Sequence, residues 1–421
     1  MSDLQRIVDG FDAGELVRPF AGSTSLLDLA RGTAKACGVD GLPMTDASRA
    51  IADHLRRAEH VIFVLADGLG IQYVDQLPRG AWLRRHTRRS ILAPFPATTP
   101  VALTSVATGE YPACHGITGW WTHLPSLNAP VTVFHNVRAT DEVSLDALGV
   151  PFTEVLHGAT LISRMQRDAA LFMPGNLVET PFTQYTASGR PCLGYGKHAE
   201  AARKIAQRIA DAPGPTYTYW YTPYPDANAH ERGAYDPSTL RSVEVLEEAI
   251  GELIALLRER EVAARIVVTA DHGHLDVGGA GHLEVPAGDP LLEHLACPPS
   301  GDVRTQFWHV LPERRHEFKR AFKERFGEWF LLLDSTDVEV LGLLGPGLLS
   351  DTTRARIGDF TSIALGREVL RYTGAPGREK YLSQRSHHSG LSAAEMQIPL
   401  IIIPTEVAEQ QRELDFMARR R

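Results

Sequence analysis

The sequence is poor in cysteine, and its four cysteines, Cys37, Cys114, Cys192 and Cys297, show no CxxC spacing. Disulfide-stapled domains and thiolate zinc sites carry cysteines at short, regular intervals. The spacing therefore indicates neither a disulfide framework nor a thiolate zinc site, and reduced thiols are expected. Stability must come from a hydrophobic core, for which 421 residues with 43% hydrophobic content are ample.

The chain also lacks long basic blocks and long apolar runs. Its 43 lysines and arginines against 51 acidic residues give a formal charge of -8, which argues against a nucleic acid polymer as partner. The apolar run at residues 400–403 is far shorter than the roughly 18 residues of a membrane span. Residues 1–6 show no basic and then apolar secretory pattern. A cytoplasmic protein without a membrane span is expected, and the sequence does not indicate its oligomeric state.

Strand-like and helix-like patterns alternate along most of the chain, without internal repeats. This alternation predicts an α/β fold with a mostly parallel sheet and helices on both faces. We expect residues 1–57 to form a lead segment, residues 58–300 with 381–410 to form the core, and residues 301–380 to form a smaller inserted α+β cap subdomain over the site. The arginines at 419–421 are expected to lie in a solvated tail.

A β-branched run at residues 265–269 stops just before Asp271, His272 and Gly273. Because a helical pattern precedes it and a glycine follows it, this run predicts a buried parallel strand. Sites in open α/β sheets are built at the carboxyl ends of strands, so this pair is well placed to bind a metal. An adjacent aspartate and histidine are equally typical of an ordinary turn, and the prediction therefore depends on partners elsewhere.

Three other segments present acidic or histidine side chains beside strand-like runs: Asp67 after residues 61–66, Asp226 and His230 after residues 217–221, and His387 with His388 before residues 397–403. If Asp226 begins a helical turn, its i+4 neighbour His230 faces the same way, and the two could chelate one ion. Four segments thus bring carboxylates and imidazoles to equivalent places in the sheet.

The segment from Thr99 to Gly109 supplies a candidate nucleophile. Threonine before proline, followed by an apolar pattern that ends at glycine, predicts a short helix with Thr99 at the N-cap and Pro100 at the first helical position. The positive end of the helix favours an alkoxide and a bound phosphate. Thr99 alone would be interpreted as a simple cap, but the metal-type residues elsewhere favour catalysis.

These elements resemble, in the same order, the motifs of type I phosphodiesterase/nucleotide pyrophosphatase proteins in the alkaline phosphatase superfamily. The motifs that carry the resemblance are residues 67–68, the helix start at Thr99, residues 109–112 with 115–117, residues 226–230, residues 269–273 and residues 388–392. The resemblance spans about residues 58–405. It implies an alkaline-phosphatase-like sheet and a small-molecule phosphoester as substrate.

The resemblance also implies two divalent ions held by three protein ligands each: Asp226, His230 and His388 for one, and Asp67, Asp271 and His272 for the other, with Thr99 against the second ion. Mixed carboxylate and imidazole ligation suits zinc. The implied reaction is an in-line displacement at phosphorus by Thr99, through a phosphothreonine intermediate.

Neighbouring residues compete for some of these roles. Thr98 stands beside Thr99, but Thr99 matches the family position when counted back from the end of the helix. His388 matches the family pattern through the serine, glycine and leucine that follow it, whereas His387 is expected to pack near the site. Two more histidines are expected to support loops and not to bind metal, His115 and His274.

One departure from the family concerns the substrate. Relatives that hydrolyse nucleotides place an asparagine, which donates to a phosphate oxygen, about where this chain has residues 119–121. Trp120 cannot replace that amide, because an indole donates one hydrogen bond and is otherwise a large apolar surface. Trp120 is therefore either a substrate contact or, with Trp121, a packing residue. Neither Arg304 nor Arg356 is assigned to phosphate binding.

The expected function is hydrolysis of a phosphodiester or pyrophosphate bond by a two-metal enzyme with a threonine nucleophile. Hydrolysis of a phosphomonoester or a phosphonate on the same site is the alternative. A noncatalytic phosphoester-binding protein that keeps the metal cage is a further alternative, because the asparagine is missing. Threonine at position 99 argues against a serine-nucleophile mutase and against a sulfatase, which needs a cysteine there.

Overall fold

Two seven-stranded sheets organise the chain in the computed structural model, which describes residues 2–20 and 22–406; the predicted tail at 419–421 lies outside the described residues. The strands are, in chain order, β1 (His60–Ala66), β2 (Thr87–Leu92), β3 (Trp121–Leu124), β4 (Ala129–Thr132), β5 (Val137–Arg138), β6 (Asp168–Pro174), β7 (Cys192–Tyr195), β8 (Thr216–Thr222), β9 (Ala264–Thr269), β10 (Leu275–Asp276), β11 (His282–Val285), β12 (Ser300–Asp302), β13 (Thr305–Trp308), β14 (Phe330–Asp334), β15 (Phe360–Ala364), β16 (Val369–Tyr372), β17 (Ser386–His387) and β18 (Gln397–Pro404).

The helices that connect and cover these strands range from single turns to one long helix. They are α1 (Asp3–Asp12), α2 (Leu26–Ala36), α3 (Asp46–Leu55), α4 (Ile71–Gln76), α5 (Trp82–Arg85), α6 (Thr99–Thr108), α7 (Pro112–His115), α8 (Phe152–Val155), α9 (Leu161–Arg164), α10 (Pro181–Ala187), α11 (His198–Ala210), α12 (Asp226–Arg232), α13 (Pro237–Glu259), α14 (Arg315–Phe326), α15 (Ser335–Val340), α16 (Asp351–Ile357), α17 (Arg378–Ser383) and α18 (Ala393–Met396). Short 3₁₀ turns occupy Gly175–Leu177, Pro290–His294 and Pro312–Arg314. Among the described residues, no helix is long and apolar enough to pass through a bilayer.

The first sheet has the strand order β2-β18-β9-β1-β8-β6-β7. The five strands from β9 to β7 are parallel, whereas β18 runs antiparallel to both β9 and β2. Every residue of β1 and of β9 is buried. Because successive side chains of a strand point to opposite faces, both faces of this sheet must be covered. The predicted α/β fold, with a mostly parallel sheet between helices, is confirmed.

The second sheet is antiparallel and has the order β14-β15-β13-β12-β3-β4-β5. Its strands come from residues 121–138 and from residues 300–364, and a single residue pair, Trp121 with Gly301, joins these two groups. The sheet therefore takes strands from both sides of the boundary predicted at residue 300. The predicted division into lead segment, core and cap subdomain stays a prediction.

The long aromatic face of α14 shows how the sequence pattern produces packing around this sheet. Phe318, Phe322 and Phe326 recur every four residues, which places them on one side of the helix. All three are buried with Trp308 and Phe360 of the second sheet. Burial of such side chains contributes roughly 1.5–3 kcal/mol each to folding, so this face fixes the helix on the sheet.

Candidate metal centre

The predicted ligands meet at one edge of the first sheet. Strands β9, β1 and β8 are neighbours and parallel, so Asp271, Asp67 and Asp226, which follow them, emerge at the same edge. The backbone N–H of Asp226 donates to the carbonyl of Asp67 at 2.9 Å and locks two of these segments together. Strand β18 is antiparallel and therefore begins where the others end, which brings the preceding loop with His388 to the same place.

One group of side chains gathers around His272. Its Nε2 atom lies 3.4 Å from Oδ1 of Asp67 and 3.4 Å from Oδ2 of Asp271. The hydroxyl oxygen of Thr99 lies 3.1 Å from the same Nε2 atom and 3.5 Å from Oδ1 of Asp67. All four residues are buried. The structure thus brings together the three predicted ligands of one ion and the predicted nucleophile.

The carboxylate of Asp271 is held in a way that leaves one oxygen free for an ion. Its Oδ1 atom accepts hydrogen bonds from the N–H groups of Gly68 and His272, at 2.9 and 3.0 Å. Its Oδ2 atom is buried and has no hydrogen-bond partner in the described part of the chain. Buried acceptors are rarely left without a partner, so this lone pair, turned toward His272 and Asp67, fits a bound cation.

The charge balance of the site supports the same interpretation. Burial, followed by the neighbouring carboxylates of Asp271 and Asp226, raises the pKa of Asp67 well above its ordinary value. Within residues 2–20 and 22–406, the side chains that form ion pairs with these three carboxylates are histidines. Buried charges normally require pairing or metal coordination. Divalent cations would supply the positive charge that the protein itself does not place here.

A second group of side chains surrounds Asp226, the first residue of α12. Its Oδ1 atom lies 2.7 Å from Nε2 of His274, 3.3 Å from Nε2 of His230 and 3.7 Å from Nε2 of His388. The prediction that Asp226 and His230 face the same way on one helical turn is confirmed. Burial opposes ionisation, but the surrounding histidines hold the pKa of Asp226 well below its ordinary value.

The position of His274 differs from what the sequence suggested for it. We expected this histidine to support a loop, yet its imidazole makes the shortest contact with Asp226. Four residues present ligand atoms that all lie within 4.8 Å of one another: Asp226, His272, His274 and His388. His274 is therefore a further candidate ligand, and the role of His230 as a ligand stays a prediction.

Hydrogen bonds on the far side of the rings fix which nitrogen faces the site. The Nδ1 atoms of His230, His388 and His272 lie 2.8, 3.0 and 3.0 Å from the carbonyl oxygens of Ser386, Ala97 and Gly273. A carbonyl oxygen only accepts, so each Nδ1 carries the proton and each Nε2 keeps a lone pair toward the site. This arrangement is typical of histidines that bind metal through Nε2.

At the amino end of α6, Thr98 and Thr99 have different surroundings. The helix begins at Thr99 and the N-cap is Thr98, so the prediction that Thr99 is the N-cap was wrong by one residue. Thr98 has an extended backbone, and its hydroxyl donates to Oδ2 of Asp302 at 2.7 Å instead of capping the helix. The Thr99 hydroxyl is left facing Asp67 and His272. Gly109 ends the helix with φ 73°, as predicted.

Both buried arginines considered in the sequence are occupied by protein acceptors. The guanidinium of Arg304 donates twice to the carboxylate of Glu395, at 2.6 and 3.0 Å. Glu395 also accepts from the N–H of Gly390 at 2.7 Å, so this ion pair holds the loop that carries His388. Arg356 donates to the backbone carbonyls of Gly116 and Glu154. These hydrogen bonds engage both guanidinium groups with protein acceptors and assign neither arginine to phosphate binding.

Trp120 lies beside other aromatic rings. Its indole packs edge-on against Phe134 and His135, with ring centroids 5.6 and 5.7 Å apart. These contacts account for its position without a ligand. Its role in binding substrate stays a prediction.

Replacement of the two adjacent histidines tests which of them is a ligand. His388 belongs to the group of converging ligand atoms, whereas the ring of His387 faces His230 at 5.1 Å from outside that group. We expect His387→Ala to weaken metal affinity by about 10- to 100-fold, as loss of an outer contact does. His388→Ala should cost more than this. The metal retained after dialysis measures both, and an equal or larger loss in His387→Ala would reassign the ligand.

Tyr221 is a functional residue that the sequence analysis missed. Its hydroxyl donates to Oδ2 of Asp67 at 2.6 Å, which orients that carboxylate. The signal was the alternation of tyrosines in the strand 217–221, which places the last of them on the site side. Residues that hydrogen-bond to metal ligands orient those ligands and tune metal binding.

We expect Tyr221→Phe to lower metal affinity or activity by about 10- to 100-fold, because the Oδ2 atom of Asp67 loses the hydroxyl that donates to it while the packing ring remains. Tyr381→Phe is the matched control, since it removes the hydroxyl of another buried tyrosine, which donates to the backbone carbonyl of Leu283 instead. Metal titration and kcat/KM of both variants provide the measurement. Equal effects in the two variants would reduce Tyr221 to a general packing role.

Comparison with known proteins agrees with this geometry. Residues 61–325 match the model of the family described as Type I phosphodiesterase / nucleotide pyrophosphatase. No curated protein matches the chain. Murine ectonucleotide pyrophosphatase/phosphodiesterase 5 superposes with a TM-score of 0.61 at 16% identity, over 81% of this chain and 87% of that chain.

Two further structures share the fold at the same coverage. An inactive variant of the murine protein in complex with AMP has a TM-score of 0.59 at 14% identity, and the human protein has 0.59 at 15%. The family match extends over more than half of the chain and includes five of the six predicted metal-ligand residues. The chain therefore belongs to the type I phosphodiesterase/nucleotide pyrophosphatase family of phosphoester hydrolases.

Proposed function

We propose that the protein hydrolyses phosphodiester or pyrophosphate bonds of small molecules, with Thr99 as nucleophile and two divalent ions, most simply zinc. The observation that best supports this is the position of the Thr99 hydroxyl, 3.1 Å from Nε2 of His272 and 3.5 Å from Oδ1 of Asp67, at the amino end of a helix. The proposed intermediate is a phosphothreonine.

The side chains present fit two ions. Asp67, Asp271 and His272 would hold one ion beside Thr99, and Asp226, His230 and His388 would hold the other, with His274 as a further candidate. Carboxylate and imidazole ligands in this proportion are typical of catalytic zinc sites, which keep one position open. When bound, such ions supply electrostatic stabilisation of the attacking and leaving oxygens.

The residues of the chain contribute positioning to each of the two steps. In the first step the Thr99 oxygen forms a bond to phosphorus as the bond to the leaving oxygen breaks, and the proton that Thr99 loses passes, through solvent, to the leaving oxygen. The positive end of α6 suits the phosphoryl oxygens. In the second step water attacks the phosphothreonine, releases phosphorylated product and restores the hydroxyl. Before the first step Asp67, itself oriented by Tyr221, accepts a hydrogen bond from the Thr99 hydroxyl and so positions the threonine oxygen.

The structural relatives support a nucleotide-type substrate. The inactive murine variant carries a threonine-to-alanine substitution and was solved in complex with AMP. A nucleoside monophosphate is the product expected when a nucleotide diester or pyrophosphate is cleaved. Hydrolysis of phosphomonoesters or phosphonates is the alternative, because the same ions and threonine can serve either reaction.

A substrate panel tests the proposal. The zinc-loaded protein is assayed with a nucleotide phosphodiester, a dinucleotide pyrophosphate, a phosphomonoester and a phosphonate. We expect kcat/KM to be highest for the diester or the pyrophosphate. A higher value for the monoester or the phosphonate would establish the alternative. Stoichiometric binding of AMP without turnover of any substrate would establish a noncatalytic phosphoester-binding protein.

A further inference from the structure

A second set of metal-ligand side chains lies on the second sheet and shares no residue with the centre at the edge of the first sheet. His123 is in β3, Cys297 precedes β12 and His309 directly follows β13. One ligand atom from each of the three lies within 4.8 Å of the other two. Although the cysteine spacing in the sequence indicated no thiolate zinc site, the fold brings one thiol to two imidazoles from distant segments.

The separation of sulfur and nitrogen in this cluster matches a shared tetrahedral ion. A zinc ion with a Zn–S bond of about 2.3 Å and a Zn–N bond of about 2.0–2.1 Å holds these two atoms about 3.6 Å apart. The Sγ atom of Cys297 lies 3.6 Å from Nδ1 of His123. That distance also suits a weak S–H to nitrogen hydrogen bond, so the third residue of the cluster decides between the two interpretations.

His309 is arranged as a ligand and not as a hydrogen-bonded neighbour. Its Nε2 atom lies 3.0 Å from the backbone carbonyl of Ala355, which can only accept, so Nε2 carries the proton. Its Nδ1 atom is therefore an acceptor, and it is buried without a hydrogen-bond partner among the described residues. An imidazole fixed by a carbonyl on one nitrogen, with an unsatisfied lone pair on the other, is typical of a histidine that binds metal.

The cluster lies where the two halves of the second sheet meet, so an ion bound there would hold them together. Only one residue pair, Trp121 with Gly301, registers β3 against β12 and so joins the two halves of the second sheet. His123 lies two residues beyond this pair on one side, and Cys297 and His309 lie on the other side of the joint. An ion shared by His123 and Cys297 would link residues 174 positions apart in the chain and so close a long loop. Cross-links that close long loops are expected to stabilise a fold most, because they restrict the unfolded chain.

We propose that His123, Cys297 and His309 bind a structural zinc ion that fastens the two halves of the second sheet. Three protein ligands leave one position for water on the side of His309, which is half-buried. The rings of His123 and His309 now stack with centroids 3.8 Å apart. They must separate to coordinate one tetrahedral ion, and His309 is the ring with room to move.

Co²⁺ gives a spectroscopic signal that is specific to this site, because the site contains a thiolate. The residues proposed for the catalytic ions are carboxylates and imidazoles, whereas a thiolate bound to Co²⁺ gives a charge-transfer band in the near ultraviolet. The full-length protein, stripped of metal, is titrated with Co²⁺, and then Zn²⁺ is added to displace it. Because the two catalytic sites also bind cobalt, we expect the thiolate band to saturate by three equivalents per chain, with an intensity that corresponds to one thiolate-bound ion, and to disappear when zinc is added. Zinc should also raise the Tm of the wild-type protein by more than that of Cys297→Ala, because the catalytic ions are common to both proteins.

Three variants separate coordination from folding. Cys297→Ala should lose the band, whereas the matched control Cys37→Ala, which removes another buried thiol, should keep it. His309→Phe keeps an aromatic ring beside His123 and should weaken cobalt binding by more than the roughly 10- to 100-fold cost of losing an outer contact. Circular dichroism of each variant verifies that it is folded.

The proposal and the catalytic assignment fail separately in this experiment. Absence of a thiolate band at saturating cobalt, or a band that persists in Cys297→Ala, would overturn the proposal and leave Cys297 as a hydrogen-bond donor to His123. Unchanged cobalt affinity in folded His309→Phe would overturn it as well. Catalytic turnover does not enter these measurements, so loss of the phosphoesterase assignment would leave the result intact.

Discussion

Replacing Thr99 by alanine is expected to abolish phosphoenzyme formation and to lower kcat by on the order of 10³-fold or more, the range seen when a catalytic nucleophile is removed. Both ions should remain bound, because Asp67, Asp271 and His272 still supply three ligands. The fold should also persist, since the change removes one hydroxyl and one methyl group at the start of α6. The loss of activity would then result from the missing nucleophile and not from misfolding.

Thr98→Ala is the matched control, because it removes the adjacent buried hydroxyl, which donates to Asp302 and not to the ligands. Its effect should be much milder, and Thr99→Ser should keep partial activity because the hydroxyl survives. Acid quenching followed by mass spectrometry of the peptide that contains both threonines locates the phosphate. Phosphate on Thr98, or a phosphopeptide that persists in Thr99→Ala, would show that the nucleophile is a different residue.

Removing the ions with a chelator is expected to abolish turnover and lower thermal stability together. Two buried carboxylates, Asp67 and Asp271, and the half-buried Asp226 lie beside histidines at the site, and burial with repulsion between the carboxylates raises the pKa of Asp67. Each ion that binds only the folded state stabilises it by about 2.7 kcal/mol when its free concentration is 100 times its Kd. Tm and activity should therefore fall in step as zinc is withdrawn and recover together when it is returned.

A single charge change separates the two catalytic ions. Asp271→Asn keeps the shape of the side chain but replaces the carboxylate whose Oδ2 atom lacks a hydrogen-bond partner among the described residues. We expect this variant to lose the ion beside Thr99 and to keep the one beside Asp226, so elemental analysis should show one metal ion fewer per chain than in the wild-type protein. If the wild-type protein contained no metal and kept full activity in chelator, the two-metal proposal would be wrong.

The local parts of the site were predictable from sequence because each rests on a short pattern. A buried β-branched run that ends at a carboxylate predicts both the strand and the edge at which Asp67 and Asp271 emerge. The spacing of Asp226 and His230 predicts a shared helical face, which the structure confirms. Because the strands are parallel, the segments that follow them emerge at the same edge of the sheet, and no further sequence signal is needed to predict this.

The parts that the sequence did not predict depend on long-range pairing. Strands from residues 121–138 and 300–364 share one sheet, and nothing in either segment specifies the register of the other. The contact of His274 with Asp226 and the hydrogen bond of Tyr221 to Asp67 likewise join segments that are far apart. The N-cap was misplaced by one residue because the hydroxyl of Thr98 bonds to Asp302, a partner 204 positions away.

Strand β18 also has a consequence for the order in which the protein matures. It occupies the space between β2 and β9, and it is the last strand of the described chain. A ribosome-bound chain that lacks residues 386–404 has already made five of the six predicted metal-ligand residues, but not His388. It also exposes the apolar edge of β9, a template for pairing with other chains. Truncated or stalled chains should therefore aggregate before they acquire a complete active site. When β18 pairs with β2 and β9, it completes the first sheet and brings the last predicted metal ligand, His388, to the site.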